Sequence, residues 1–276
     1  MWRLRALYAA VRSLLAAGGV DLAASLAFFG LLSIFPAVGL GVMIASIVSS
    51  PEALQEFLAR FWSAYFPASQ EYLEGVVVHL FESPAAIGGI SAVGLIGGAA
   101  GLLNAVNRSV NKVLGMAPRP PVQRTAVSIS LAFGLLILFL ASVGLTTLFQ
   151  LVREFGLHSG GLARAAGSLT VAVTTILLAV LPICVTWLVF LLVYHSTPKA
   201  PVSWRNAAFG AVVAAVLFEI VKHIFLLIQT NVGFGGLIYD SLWSVIVLLL
   251  WAYTAGLIFL YGAAVTKESA ALRPQE

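Results

Sequence analysis

Glu219, Lys222 and His223 stand at i, i+3 and i+4 inside a run, Ala207 to Gln229, that is otherwise almost wholly apolar. On a helix the three share a face, so the Glu219 carboxylate can pair with either cation. A carboxylate, an ammonium and an imidazole in one place can hold a polar or ionic group, and Glu219 with His223 can carry protons. Gln229 and Thr230 extend the same stripe. At about 1.5 Å per helical residue, Glu219 lies roughly 21 Å beyond Arg205, and Lys222 roughly 25 Å beyond it. If the run crosses a hydrocarbon layer about 30 Å thick, Glu219 is well inside it and Lys222 is in its outer half. A lone charge there costs roughly 2.5–3.5 kcal/mol. Such a cluster is either a self-neutralised lock between helices or the lining of a water-accessible cavity that binds substrate. Ionisable groups at that depth favour the cavity.

A second polar group precedes it. Asn104, Asn107, Arg108 and Asn111 follow i, i+3, i+4 and i+7, with Lys112 next. Arginine presents a fork of donors to oxyanions, so this stripe can hold a phosphate or carboxylate. The plainer reading is a solvated helix end that fixes topology. Just upstream, Gly94/Gly98 and Gly97/Gly101 are overlapping GxxxG pairs. They allow close helix packing within a bundle, or a homodimer contact. Pro36 and Pro182 each follow a similar apolar run and are expected to break their helices. Three spans separate them, as in the inverted repeats with broken helices of many transporters; chance similarity of short apolar runs is the alternative.

Enzyme chemistry finds little support. The four histidines, His79, His158, His195 and His223, are scattered, and no HExxH, GxSxG or P-loop pattern occurs. Cys184 is the single cysteine, which excludes an intramolecular disulfide and a cysteine metal framework. No catalytic residue, metal site or cofactor is expected.

The elements that position these residues follow from composition. Of 276 residues, 61% are hydrophobic and only 9% charged, whereas soluble domains carry about a quarter charged residues. Six apolar stretches meet the requirement of about 20 residues for a bilayer crossing: Leu22–Val48, Ala86–Leu103, Ala126–Leu151, Leu169–Tyr194, Ala207–Gln229 and Leu242–Thr266. Arg3, Arg5, Arg12, Arg108, Lys112, Arg119, Arg124, Lys199, Arg205, Lys267 and Arg273 fall on one side of that plan. Only Arg60, Arg153 and Arg164 fall on the other, so both termini are expected in the cytoplasm. The net charge of +4 thus reflects topology and not a nucleic-acid footprint.

Residues 1–17 read as an interfacial amphipathic helix anchored by Trp2, because Leu4, Leu7, Tyr8, Val11, Leu14 and Leu15 keep helical spacing around three arginines. Ser50-Pro51-Glu52 is a helix start, and the aromatic-rich residues 50–82 between spans 1 and 2 read as outer amphipathic helices. The expectation is an all-α polytopic membrane protein: a single transmembrane domain, 1–276, with six spans and interfacial helices.

Ala24-Ser25-Leu26-Ala27-Phe28-Phe29 through Ser33-Ile34-Phe35-Pro36 resembles the opening signature of the YihY/BrkB family of bacterial inner-membrane proteins. Gly210 to Lys222, the Tyr239 turn, and Leu250-Trp251-Ala252-Tyr253 to Gly262-Ala263 are similar to it as well. Where the family often has Tyr-Gly before the sixth span, Tyr239 is followed by Asp240. The resemblance implies an inner-membrane location and the six-span plan. Members have been called virulence factors, transporters and, through an old assignment, a tRNA-processing ribonuclease. Together with the residues, it points to a transporter-like protein that moves or binds a lipid-like amphiphile or small solute near span 5. The alternatives are a non-transporting envelope scaffold and a proton-coupled exporter. Expected partners are membrane lipids, a small-molecule or lipid substrate and a second copy of the chain, with no nucleic acid.

Overall fold

The structure, a computed structural model, describes residues 2–48, 84–117, 119–120, 122–131, 134, 138, 163–231 and 237–272. Among the described residues there are seven helices and no strands. They are α1 (Trp2–Ala16), α2 (Gly19–Val48), α3 (Pro84–Val113), α4 (residues 122–131), α5 (Ala163–Ser196), α6 (Trp204–Asn231) and α7 (Leu237–Leu272). Five of the six apolar stretches lie within α2, α3, α5, α6 and α7, and α4 covers the start of the third. Within the described residues, Trp204–Phe225 and Ile246–Leu272 are each long and apolar enough to cross a bilayer. The expected outer helices over 50–82 lie outside the described residues.

Local chemistry explains the helix ends. Gly18, at φ 72°, closes α1 in the left-handed region that glycine enters without a Cβ penalty. At the end of α3, Gly115 has φ 74°. Its N–H donates to the Lys112 carbonyl (3.1 Å), and the Met116 N–H to the Asn111 carbonyl (2.8 Å). Those two bonds make a Schellman cap. Pro84 opens α3, where its missing N–H costs nothing. Asp21 places a negative charge in the first turn of α2.

The two prolines do not break their helices. Contrary to the expectation, α2 continues across Pro36 and α5 across Pro182. A proline removes one backbone donor, and apolar helices tolerate this when side chains satisfy the groups set free. The carbonyl that Pro182 leaves without its N–H is that of residue 178, one turn earlier, whereas the Thr186 hydroxyl donates one turn later, to the Pro182 carbonyl itself at 2.9 Å.

The chain packs into two compact units, to both of which α3, α6 and α7 contribute. The first comprises Met1–Ala17, Val110–Glu219 and Tyr261–Glu276. In it α6 and α7 meet through small residues. A Cβ built on Gly210 would stand 2.5 Å from the Gly262 carbonyl oxygen and closer still to the Thr266 hydroxyl. One built on Gly262 would clash with the Tyr194 hydroxyl and reach 2.7 Å from Ala214 Cβ. Ala207, Ala211, Ala214, Ala263 and Val265 are buried around this crossing.

The second unit comprises Gly18–Ser109 and Ile220–Leu260. Here α3 lies against α2: a Cβ on Gly98 would be 3.0 Å from Ser33 Cα, and one on Gly101 would enter the Phe29 ring. On α7, a Cβ at Gly256 would meet the Ala23 carbonyl oxygen at 3.0 Å. Phe225 of α6 sets its ring edge-on to Trp251 of α7, with centroids 5.2 Å apart.

Candidate functional site

On α6 the large residues Val212, Val216, Ile220, Ile224 and Leu227 are exposed and form one stripe along the helix. In a bilayer that stripe is the side suited to lipid. His223 is exposed and falls within its arc. Glu219 sits at the edge of that arc and Lys222 beyond it, and both are half-buried. The three positions stay neighbours on the helix surface, with Glu219 and Lys222 half-buried and His223 exposed. Gln229 is on the same helix, and its side chain lies outside the described residues.

The polar stripe on α3 divides. Asn107 and Asn111, one turn apart, are buried, while Asn104, Arg108 and Lys112 are exposed on another side. Arg108 donates to the Ser25 hydroxyl at 3.3 Å. Asn111 has a framework role. Its Nδ2 donates to the Thr197 carbonyl (3.3 Å), and its Oδ1 accepts from the Lys199 N–H (2.8 Å). One amide thereby fastens both sides of the turn between α5 and α6, as only a side chain with a donor and an acceptor can.

Arg119 completes that fastening. Its Nε donates to the Thr197 carbonyl (3.3 Å), and its terminal nitrogen donates to the carbonyls of Ser196 (3.2 Å) and Pro198. These carbonyls close α5, whose last turn carries the negative end of the helix dipole. A fixed guanidinium is suited to that end in both charge and shape. Next in sequence to Ser196, His195 Nδ1 lies 2.9 Å from the Val202 carbonyl, which can only accept, so this nitrogen donates. The imidazole stacks on the Trp204 indole with centroids 3.7 Å apart. Sequence reasoning counted Arg119 and Lys199 only as topology charges and gave His195 no place. The partners of Arg119 and Lys199 lie 77 to 88 residues away, which no local pattern reveals.

Of the four glycines assigned to packing, Gly98 and Gly101 face α2, whereas Gly97 opens onto free space and Gly94 is half-buried. Among the described residues no three His, Cys, Asp or Glu side chains gather as a metal site.

Long apolar helices, with basic and amide side chains gathered at their ends, define a helical integral membrane protein. Residues 10–275 match the model of the family described as virulence factor BrkB. A UPF0761 membrane protein of Aeromonas salmonicida (strain A449) is 30% identical over 251 residues, which cover 87% of this chain and 80% of that protein. A UPF0761 membrane protein of Psychromonas ingrahamii is 29% identical over 255 residues, covering 88% and 80%. One from Haemophilus influenzae (strain 86-028NP) is 25% identical over 250 residues, covering 88% and 87%. No solved structure matches. The chain belongs to the BrkB family of membrane proteins.

Proposed function

We propose that this protein is a transporter-like component of the bacterial inner membrane, with six spans and both termini in the cytoplasm. It takes a lipid-like amphiphile or small solute along α6, around Glu219, and performs no catalytic step. The observation that carries the reading is the position of Glu219 and Lys222. They stand deep in an apolar helix, half-buried, with Glu219 at the edge of its exposed apolar stripe and Lys222 beyond it. Charges kept at that depth are costly, and function is the usual reason they persist.

Reconstituted liposomes test it. The full chain is expected to accelerate movement of a fluorescent phospholipid analogue between leaflets. Glu219→Gln and Lys222→Met are expected to reduce that movement to the protein-free rate while membrane insertion stays normal. Proton coupling would add a response to an imposed pH gradient. Absence of any flux from the wild-type chain, with loss of cellular function from surface substitutions instead, would identify a scaffold and overturn the transport reading.

A further inference from the structure

Among the described residues, one side of α1 is packed on protein and the opposite side is exposed. Ala6, Ala10 and Leu14 are buried. The Tyr261 hydroxyl donates to the Leu7 carbonyl at 3.1 Å, and Lys267 Nζ to the Ser13 hydroxyl at 3.1 Å. The helix is therefore seated on α7 and is not a loose tail. Its opposite side presents Leu4 at 73% exposure, Tyr8 at 71%, Val11 at 45% and Leu15 at 61%. With steps of four, three and four residues, these make one continuous apolar stripe.

The charge around that stripe is one-sided. Residues 2–16 contain three arginines and no acid. Arg5 and Arg12 are exposed, two turns apart, and share one flank of the stripe. Arg3 is different: its guanidinium stands over the Phe209 ring, 5.6 Å from the centroid. An exposed apolar stripe with two guanidiniums on one border matches a membrane surface, where acyl chains lie beneath phosphate head groups.

We propose that the Leu4–Leu15 stripe of α1 dips into one leaflet and that Arg5 and Arg12 bind the phosphates of anionic phospholipids there. The occupant is an anionic lipid surface, because the stripe alone would accept any acyl chain and the two unopposed arginines select a negative head group. Their planar donors fit phosphate oxygens in pairs. Arg3 takes no part, since it is held against Phe209. This assignment rests on membrane residence alone and is independent of transport along α6.

The test uses the full chain in nanodiscs of mixed phosphatidylglycerol and phosphatidylcholine, with the lipids retained on extraction quantified by native mass spectrometry. The wild-type chain is expected to be enriched in phosphatidylglycerol, with the enrichment falling as salt is raised. Arg5→Gln/Arg12→Gln is expected to weaken phosphatidylglycerol retention by roughly 30-fold, while Arg3→Gln leaves it unchanged. Arg5→Lys/Arg12→Lys, which keeps both charges, is expected to retain most of it. Equal enrichment in the double glutamine variant, loss in Arg3→Gln, or salt-independent enrichment of the wild-type chain would each overturn the proposal. A second copy of the chain is the rival occupant. Tyr8→Cys in a Cys184→Ser background would then form a disulfide-linked dimer in the membrane, and that result would also overturn it.

Discussion

Arg119 reaches three carbonyls at the end of α5, and Asn111 spans the same turn from its other side. A helix end without glycine leaves its last carbonyls to other donors. Arg119→Gln is expected to lower stability in detergent by about 1.5–3 kcal/mol, the usual range for bonds to a charged group. Arg119→Lys is expected to recover little of it, because a single ammonium cannot address three separated acceptors as a fork does. Thermal unfolding of the purified variants reads both outcomes. Equal midpoints for wild type and Arg119→Gln would mean that the turn holds without the guanidinium.

Helix contacts sort the glycines of this chain into two kinds. Gly210 has no room for a methyl group, with the Thr266 hydroxyl and the Gly262 carbonyl against it. Gly210→Ala is expected to force α6 and α7 apart at a cost of about 1–3 kcal/mol. Gly97 meets nothing within 4 Å. Gly97→Ala is expected to be neutral or to stabilise by up to about 1 kcal/mol, since alanine is the better helix former. Thermal stability measured side by side separates them, and equal losses would contradict the close crossing of α6 and α7.

That contrast also marks what the sequence made legible. Long apolar runs announced α2, α3, α5, α6 and α7, because burial in lipid demands both length and apolarity. Their ends were less legible. The last helix reaches from Leu237 to Leu272, past both limits of its apolar run, since helical hydrogen bonding continues wherever nothing stops it. The spacing of Asn107, Arg108 and Asn111 allowed a single stripe. Which edge of a polar arc turns inward is decided by the neighbouring helix and turn, here residues 197–199, far away in sequence. The glycine spacing was visible in α3, while the crossing of Gly210 and Gly262 joins two separate helices and carries no local signature.

For the whole molecule, the distribution of lysine and arginine predicts an orientation with both termini in the cytoplasm. In a Cys184→Ser background, a membrane-impermeant maleimide applied to intact inner-membrane spheroplasts is expected to label Ser159→Cys. Lys199→Cys and Ala271→Cys are expected to react only after permeabilisation. Labelling of Ala271→Cys in intact spheroplasts would reverse the orientation. Labelling of Ser159→Cys and Lys199→Cys together would break the six-span plan.

The seat of α1 has a consequence for how the protein is made. Leu7 and Ser13 find their partners Tyr261 and Lys267 254 residues later. At ordinary translation speeds of about 5–20 residues per second, α1 emerges roughly 10–50 s before its seat exists. Throughout that interval the alanine side of α1 has no α7 to rest on, and a chain cut short by premature termination never supplies one. The helix α1 is therefore locked only once α7 has been made, and its docking reports that α7 is in place.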